Sequence, residues 1–264
     1  MAKTVLFKLE NHPFYVEVDK NYVPLVMKIN DQMGDFDEVF ARRNIPKEID
    51  FTPQEYYCYR VFAKLLAFSN VYRNLKYAHL YISELDSPQK HEKYGIHKFD
   101  YLTYHYAIHV LSYVSVLDTA LILASTVFQL GLKDEKCKYD MVVSKITHPL
   151  IQNDLEKIKA LVGKYKKIRN RFLHHGKLPS IVDVNNSDVL YFLQLLKSES
   201  RKIKKMKSDY KDGINFIYKS ESQSILDKLN ADVAFIESAV SDFLNHLLAV
   251  YRLANTLYKQ EALE

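Results

Sequence analysis

Apolar side chains recur along this chain at steps of three and four rather than in alternation, which is the period of helices with one buried face. Val61, Leu65, Phe68, Tyr72, Leu75, His79 and Ile82 form one such stripe and predict a long amphipathic helix. Its start is marked by Thr52-Pro53-Gln54-Glu55. The Thr52 hydroxyl can cap free backbone N–H groups, Pro53 suits the first turn, and Glu55 can complete a reciprocal capping box. Phe51 and Tyr56 are placed for the accompanying hydrophobic staple, and Asp86-Ser87-Pro88 ends the pattern.

A second helix is expected from about Phe99 to Leu132, with apolar residues on nearly every side, as suits the centre of a bundle. Its stretch from Ile108 to Leu132 is apolar enough to raise the membrane question, since about 20 such residues can span a bilayer. Asp118 in its middle, with Ser112, Ser115, Thr119, Ser125 and Gln129, favours a buried core helix, because a central ionisable group is costly in lipid.

A third helix begins near Pro149, carries Ile151, Leu155, Ile158, Val162 and Tyr165 on one face, and ends at His175-Gly176. Gly176 stands where a left-handed C-cap belongs. A fourth is expected from about Ser187 to Asp209, and a fifth from about Ser222 to Leu263. The fifth bears an a/d seam from Leu226, Leu229 and Val233 through Val250, Ala254 and Leu257, which either clasps the bundle or pairs two copies.

Residues 1–48 read differently. Thr4 to Glu10 and Phe14 to Val18 carry short alternating patterns around His12-Pro13, which predicts an irregular or hairpin extension ahead of a helical domain over 49–264. The fold class is therefore all-α, a bundle of about five long helices.

Composition agrees. The chain has 264 residues, 48 % of them hydrophobic, enough for a sizeable core, and its 6 Gly and 7 Pro are too few for a many-stranded β fold. Cys58 and Cys137 share no metal or disulfide spacing, so a reducing, cytoplasmic setting is expected. The N-terminus meets charge early and lacks the features of a signal peptide. The net charge of +5 permits a polyanionic partner without requiring one, so its local distribution matters more. The run Arg201 to Lys207 is a solvated helix end or, alternatively, a nucleic-acid contact.

One segment concentrates chemistry. Lys164, Lys166, Lys167, Arg169, Arg171 and Lys177, with His174 and His175, occur between Lys164 and Lys177 with no acidic residue among them, and phosphate is the natural counter-charge. On the helix Arg169 falls on the apolar face between Tyr165 and Phe172, where a guanidinium needs a partner, while Asn170 and His174 share a neighbouring face. Asp118 on the second helix is one candidate partner for Arg169. The other reading bonds Asp118 to a buried group such as Tyr113.

Histidine, arginine and amide together suit metal-free RNA scission. A base takes the ribose 2′-OH proton, a cation stabilises the phosphate oxygens, and an acid protonates the leaving 5′-oxygen. One segment supplies one well-placed histidine, so two copies across a two-fold axis would supply both proton carriers. The bland alternative is a basic helix end meeting its own dipole and terminal carbonyls. His105 and His109, four apart, could begin a metal site but have no evident third ligand, so hydrogen-bonded core histidines are expected.

Arg169-Asn170-x-x-x-His174 resembles the R-x4-6-H motif of the HEPN superfamily, in which a polar residue commonly follows the arginine. Within that superfamily the chain most looks like stand-alone bacterial forms of toxin–antitoxin and abortive-infection systems. The resemblance implies a dimeric, metal-independent endoribonuclease with no cofactor, Arg169 and His174 catalytic and Asn170 supporting. RNA, a second copy and a separately encoded antitoxin are the implied partners. The alternative is a non-catalytic helical scaffold that binds RNA, nucleotide or protein.

Overall fold

The computed structural model describes residues 8–33, 50–84, 93–95, 98–179 and 211–261. Among them the chain is all-α. Its helices are α1 (Pro13–Met33), α2 (Pro53–Ser83), α3 (Lys98–Val127), the short α4 (Tyr139–Val143), α5 (Pro149–His175) and α6 (Lys211–Glu261). Two compact units are distinguished. One is built mainly from Arg73–Val114 and Gly163–Phe235, the other from Val5–Tyr72, Ser115–Val162 and Ile236–Glu264. The first holds the end of α5 with its arginine and histidines.

The helix starts form as the sequence dictates. At α2, Glu55 N–H donates to Thr52 Oγ1 at 3.2 Å and Thr52 N–H donates to Glu55 Oε2 at 2.8 Å, a closed capping box. Phe51 meets Tyr59, one turn beyond the expected Tyr56, with the rings tilted and 5.9 Å between their centroids. Val61, Leu65, Phe68, Tyr72, Leu75 and Ile82 of the α2 stripe are all buried.

The expected irregular or hairpin extension over residues 1–48 is corrected across its described part, where residues 13–33 form α1. A strand would have buried Phe14, Val16 and Val18 together. Instead Phe14, Val18, Tyr22, Leu25 and Ile29 are buried at steps of four and three, and Val16 is 53 % exposed. Three alternating residues were too short a window to separate period 2 from period 3.6. His12 begins the helix, its Nδ1 accepting the Phe14 N–H at 3.1 Å. In its own unit α1 is held by the Phe14–Tyr251 edge contact at 5.8 Å and the stacked Tyr22–Phe62 pair at 3.7 Å.

α3 ends at Val127, short of the expected Leu132, through Gln129 and Gly131 at positive φ. Among the described residues it is one of two helical stretches long and apolar enough to cross a membrane by length and composition, the other lying within α6. In α3, 61 % of that window is buried inside the protein. α6 starts at Lys211, before the expected Ser222, and takes in Gly213, which reads as a turn in the sequence. Leu229, Val233, Ile236, Val240, Phe243 and Leu247 are buried within the chain, so this part of the seam clasps the chain's own core. Further on the buried positions become Tyr251 and Asn255 while Leu257 is exposed, because a straight helix drifts about 20° per heptad from a strict 3.5 repeat. The helix expected over 187–209 and the basic run 201–207 lie outside the described residues.

Candidate functional site

α5 presents its motif through three local causes. Ile151, Leu155, Ile158, Val162 and Tyr165 are buried along one face, which sets the direction of the opposite one. Gly176 then takes φ +63°, and its N–H donates to the Phe172 carbonyl at 2.9 Å. This left-handed cap, strained for any residue with a Cβ, stops the helix one residue after His175 and leaves both histidines in the last turn.

The third cause is a buried polar lock that the sequence pattern did not announce. Asp232 of α6, 2 % exposed, accepts from the Tyr165 hydroxyl at 2.7 Å and pairs with the Lys164 ammonium. His109 of α3, fully buried, lies with Nε2 3.1 Å from Asp232 Oδ2. Burial lowers the His109 pKa, outweighing the carboxylate beside it, so the ring is neutral and its Nε2–H is the donor. Burial pushes the Asp232 carboxyl up, but bonds from His109, Lys164 and Tyr165 together bring it below its ordinary value. Burial raises Tyr165, Tyr106 and Tyr113 as well, so the surrounding hydroxyls stay protonated. Lys164 Nζ also lies 5.4 Å from the Tyr113 ring and 5.2 Å from that of Tyr165. Helix phase was the available signal for Asp232, which falls between Leu229 and Ile236 on the buried side of α6.

With Lys164 and Tyr165 so held, the outward side of α5 carries Gly163, Lys166, Lys167, Asn170, Arg171, His174 and His175. Among the described residues they line an open depression of about 580 Å³, all from one helix and none acidic. Asn170 and His174, His175, Arg171, Lys166 and Lys167 are exposed, as is Lys177 beyond the cap. Arg169 is half-buried and is not among the residues lining the depression. The expected amide, both imidazoles and three of the six cations, Lys166, Lys167 and Arg171, thus share one face, and Arg169 is not on it. Lys164, expected on RNA, is ion-paired with Asp232 while its own side chain stays about half exposed.

One further expectation changes. Asp118 is exposed on the less buried strip of α3 with Leu111, Ser115 and Ile122, so its expected place inside an apolar core is corrected. The reason is that α3, apolar all round in sequence, is not buried all round. His105 and His109 part company: His105 stacks on Tyr81 at 4.7 Å, while His109 joins Asp232. No group of three or more His, Cys, Asp or Glu that could hold a metal occurs among the described residues.

No curated protein and no solved structure matches the chain. The family model described as HEPN_Cthe2314-like HEPN matches residues 42–230, a span that includes α2, α3, α5 and the whole Arg169 to His174 segment. The chain belongs to this HEPN family.

Proposed function

We propose that the chain is a metal-independent endoribonuclease whose site forms where two copies bring their α5 ends together. The observation that carries this reading is the acid-free face of Asn170, Arg171, His174, Lys166 and Lys167 at the end of α5, within a segment that bears the complete HEPN motif. Its cations suit RNA phosphates, and an exposed imidazole on that face can exchange protons with solvent and substrate.

In the reaction the ribose 2′-oxygen attacks the adjacent phosphorus as a base removes its proton, and the P–O5′ bond breaks as an acid protonates the leaving oxygen. The products are a 2′,3′-cyclic phosphate and a free 5′-hydroxyl. His174 of one copy serves as base and His174 of the other as acid, Arg169 stabilises the crowded phosphate oxygens, and Asn170 orients the substrate or the imidazole. His175, at the edge of the same face, is accessory. A role as a toxin or phage-defence effector in the cytoplasm, restrained by a separately encoded antitoxin, follows if the RNA cut is essential.

A non-catalytic RNA-, nucleotide- or protein-binding scaffold is the second reading. It is favoured by the placement of Arg169 away from the face that carries His174. Incubation of total RNA and tRNA with the protein in chelator decides between them. Cleavage that His174→Ala abolishes supports the enzyme, and salt-sensitive binding without cleavage, unchanged by His174→Ala, selects the scaffold.

A further inference from the structure

Gly163 heads the cationic face, seven residues before Asn170 and eleven before His174, and the three fall within about 20° of one line along α5. Glycine is the poorest helix former after proline, so its place inside a 27-residue helix calls for a cause. The backbone supplies none, since Gly163 has no positive φ. Packing supplies none either, since a Cβ added there meets nothing within 4 Å among the described residues. What a missing Cβ gives is access to the helix backbone from outside.

The neighbours say what comes close. Lys166 and Lys167 stand one turn along from Gly163, and among the described residues none that lines the face is acidic. Where two copies bring their α5 ends together the like charges of Lys166 and Lys167 call for a polyanion between them, which releases counterions on binding. Resting on the ribonuclease reading above, we propose that Gly163 is the floor of a phosphate–ribose subsite for single-stranded RNA, flanked by Lys166 and Lys167. It lies about 16 Å along the helix from His174, so it holds the strand some nucleotides away from the bond being cut.

The test uses the full chain and uncleavable 2′-O-methyl RNA of about ten and about four nucleotides, the longer able to reach from His174 to Gly163. Gly163→Ala is expected to raise the melting temperature by about 2 °C, as a better helix former in open space does. Gly163→Leu is expected to weaken binding of the longer strand several-fold, so that its advantage over the shorter one shrinks. An unchanged advantage overturns the proposal. So does a lower melting temperature for Gly163→Ala, which would mean that the chain itself covers this face. A shift from dimer to monomer in sedimentation of Gly163→Leu also overturns it, in favour of a contact between copies. Wild-type protein that binds neither strand defeats the ribonuclease reading itself, an outcome distinct from any change seen only in the variants.

Discussion

Arg169 and His174, five residues apart on α5, point about 140° away from each other around the helix, the first half-buried and the second exposed. Their loss should therefore be felt differently. His174→Ala disturbs no buried packing, so the melting temperature should hold while cleavage falls about 100-fold or more, the scale of a missing proton carrier. Arg169→Ala should lower both, because it also opens a half-buried position. His175→Ala, at the edge of the face, should stay within a few-fold of wild type. Cleavage that survives His174→Ala and vanishes in His175→Ala would reassign the imidazole.

The salt dependence of RNA binding should separate Lys166, Lys167 and Arg171, proposed to meet phosphate, from Lys164, which is paired with Asp232. Lys166→Gln, Lys167→Gln and Arg171→Gln should each reduce the slope of log affinity against log salt by about 0.7 for every single-strand phosphate that the variant no longer neutralises. Lys164→Gln should leave that slope nearly unchanged and lower stability instead, since its ammonium is engaged by Asp232. Equal reductions in slope for all four would mean that Lys164 exchanges Asp232 for RNA.

Helix positions and their buried faces were legible because periodicity states them directly: the stripe from Val61 to Ile82 and the face from Ile151 to Tyr165 are buried where the pattern puts them. The C-cap at Gly176 was equally legible, since few residues other than glycine take that backbone. What failed were inferences that needed a neighbouring element. Asp118 looked buried because everything around it is apolar, yet exposure depends on which side of α3 is covered. Asp232 passed unnoticed inside an otherwise apolar seam, although its phase marked it, and its partners lie 68 residues back at Lys164 and 123 back at His109. α1 was missed because its three-residue alternation also fits the first turns of a helix.

Asp232→Asn tests whether the polar lock sets the phase of α5. The amide keeps the shape but faces its NH₂ toward donors and no longer neutralises Lys164, so stability should drop by about 2 kcal/mol, the scale of a buried donor left unpaired. RNA affinity should drop with it, because rotation of α5 turns the whole face from Lys166 to His174 to a new direction. Crosslinks or spin labels at exposed positions of α5 would report the rotation. Full stability with full affinity in this variant would reduce the lock to a local contact.

Acid should unlock the protein before it reaches the carboxylate range. Burial is the main cause that holds His12, His79 and His109 below the ordinary histidine value. For a base so depressed the unfolded chain takes the proton first, so its stabilising contribution is complete above about pH 6.5 and fades as the pH falls below that. At His12 the protonated ring could no longer accept the Phe14 N–H, and α1 would lose its cap. At His109 the proton would enter a fully buried ring beside Lys164, Tyr113 and Tyr165, with Asp232 to compensate it. Asp232, depressed in turn, keeps its contribution down to about the ordinary carboxylate value and loses it only as the pH falls below that. Denaturant melts should thus be flat from pH 8 to about 7 and lose up to about 1.4 kcal/mol per pH unit for each histidine on the way to pH 5. His109→Gln, which keeps a donor for Asp232 but cannot titrate, should flatten that slope by one histidine's share. Stability that rises between pH 7 and 5 would reverse the sign of the argument.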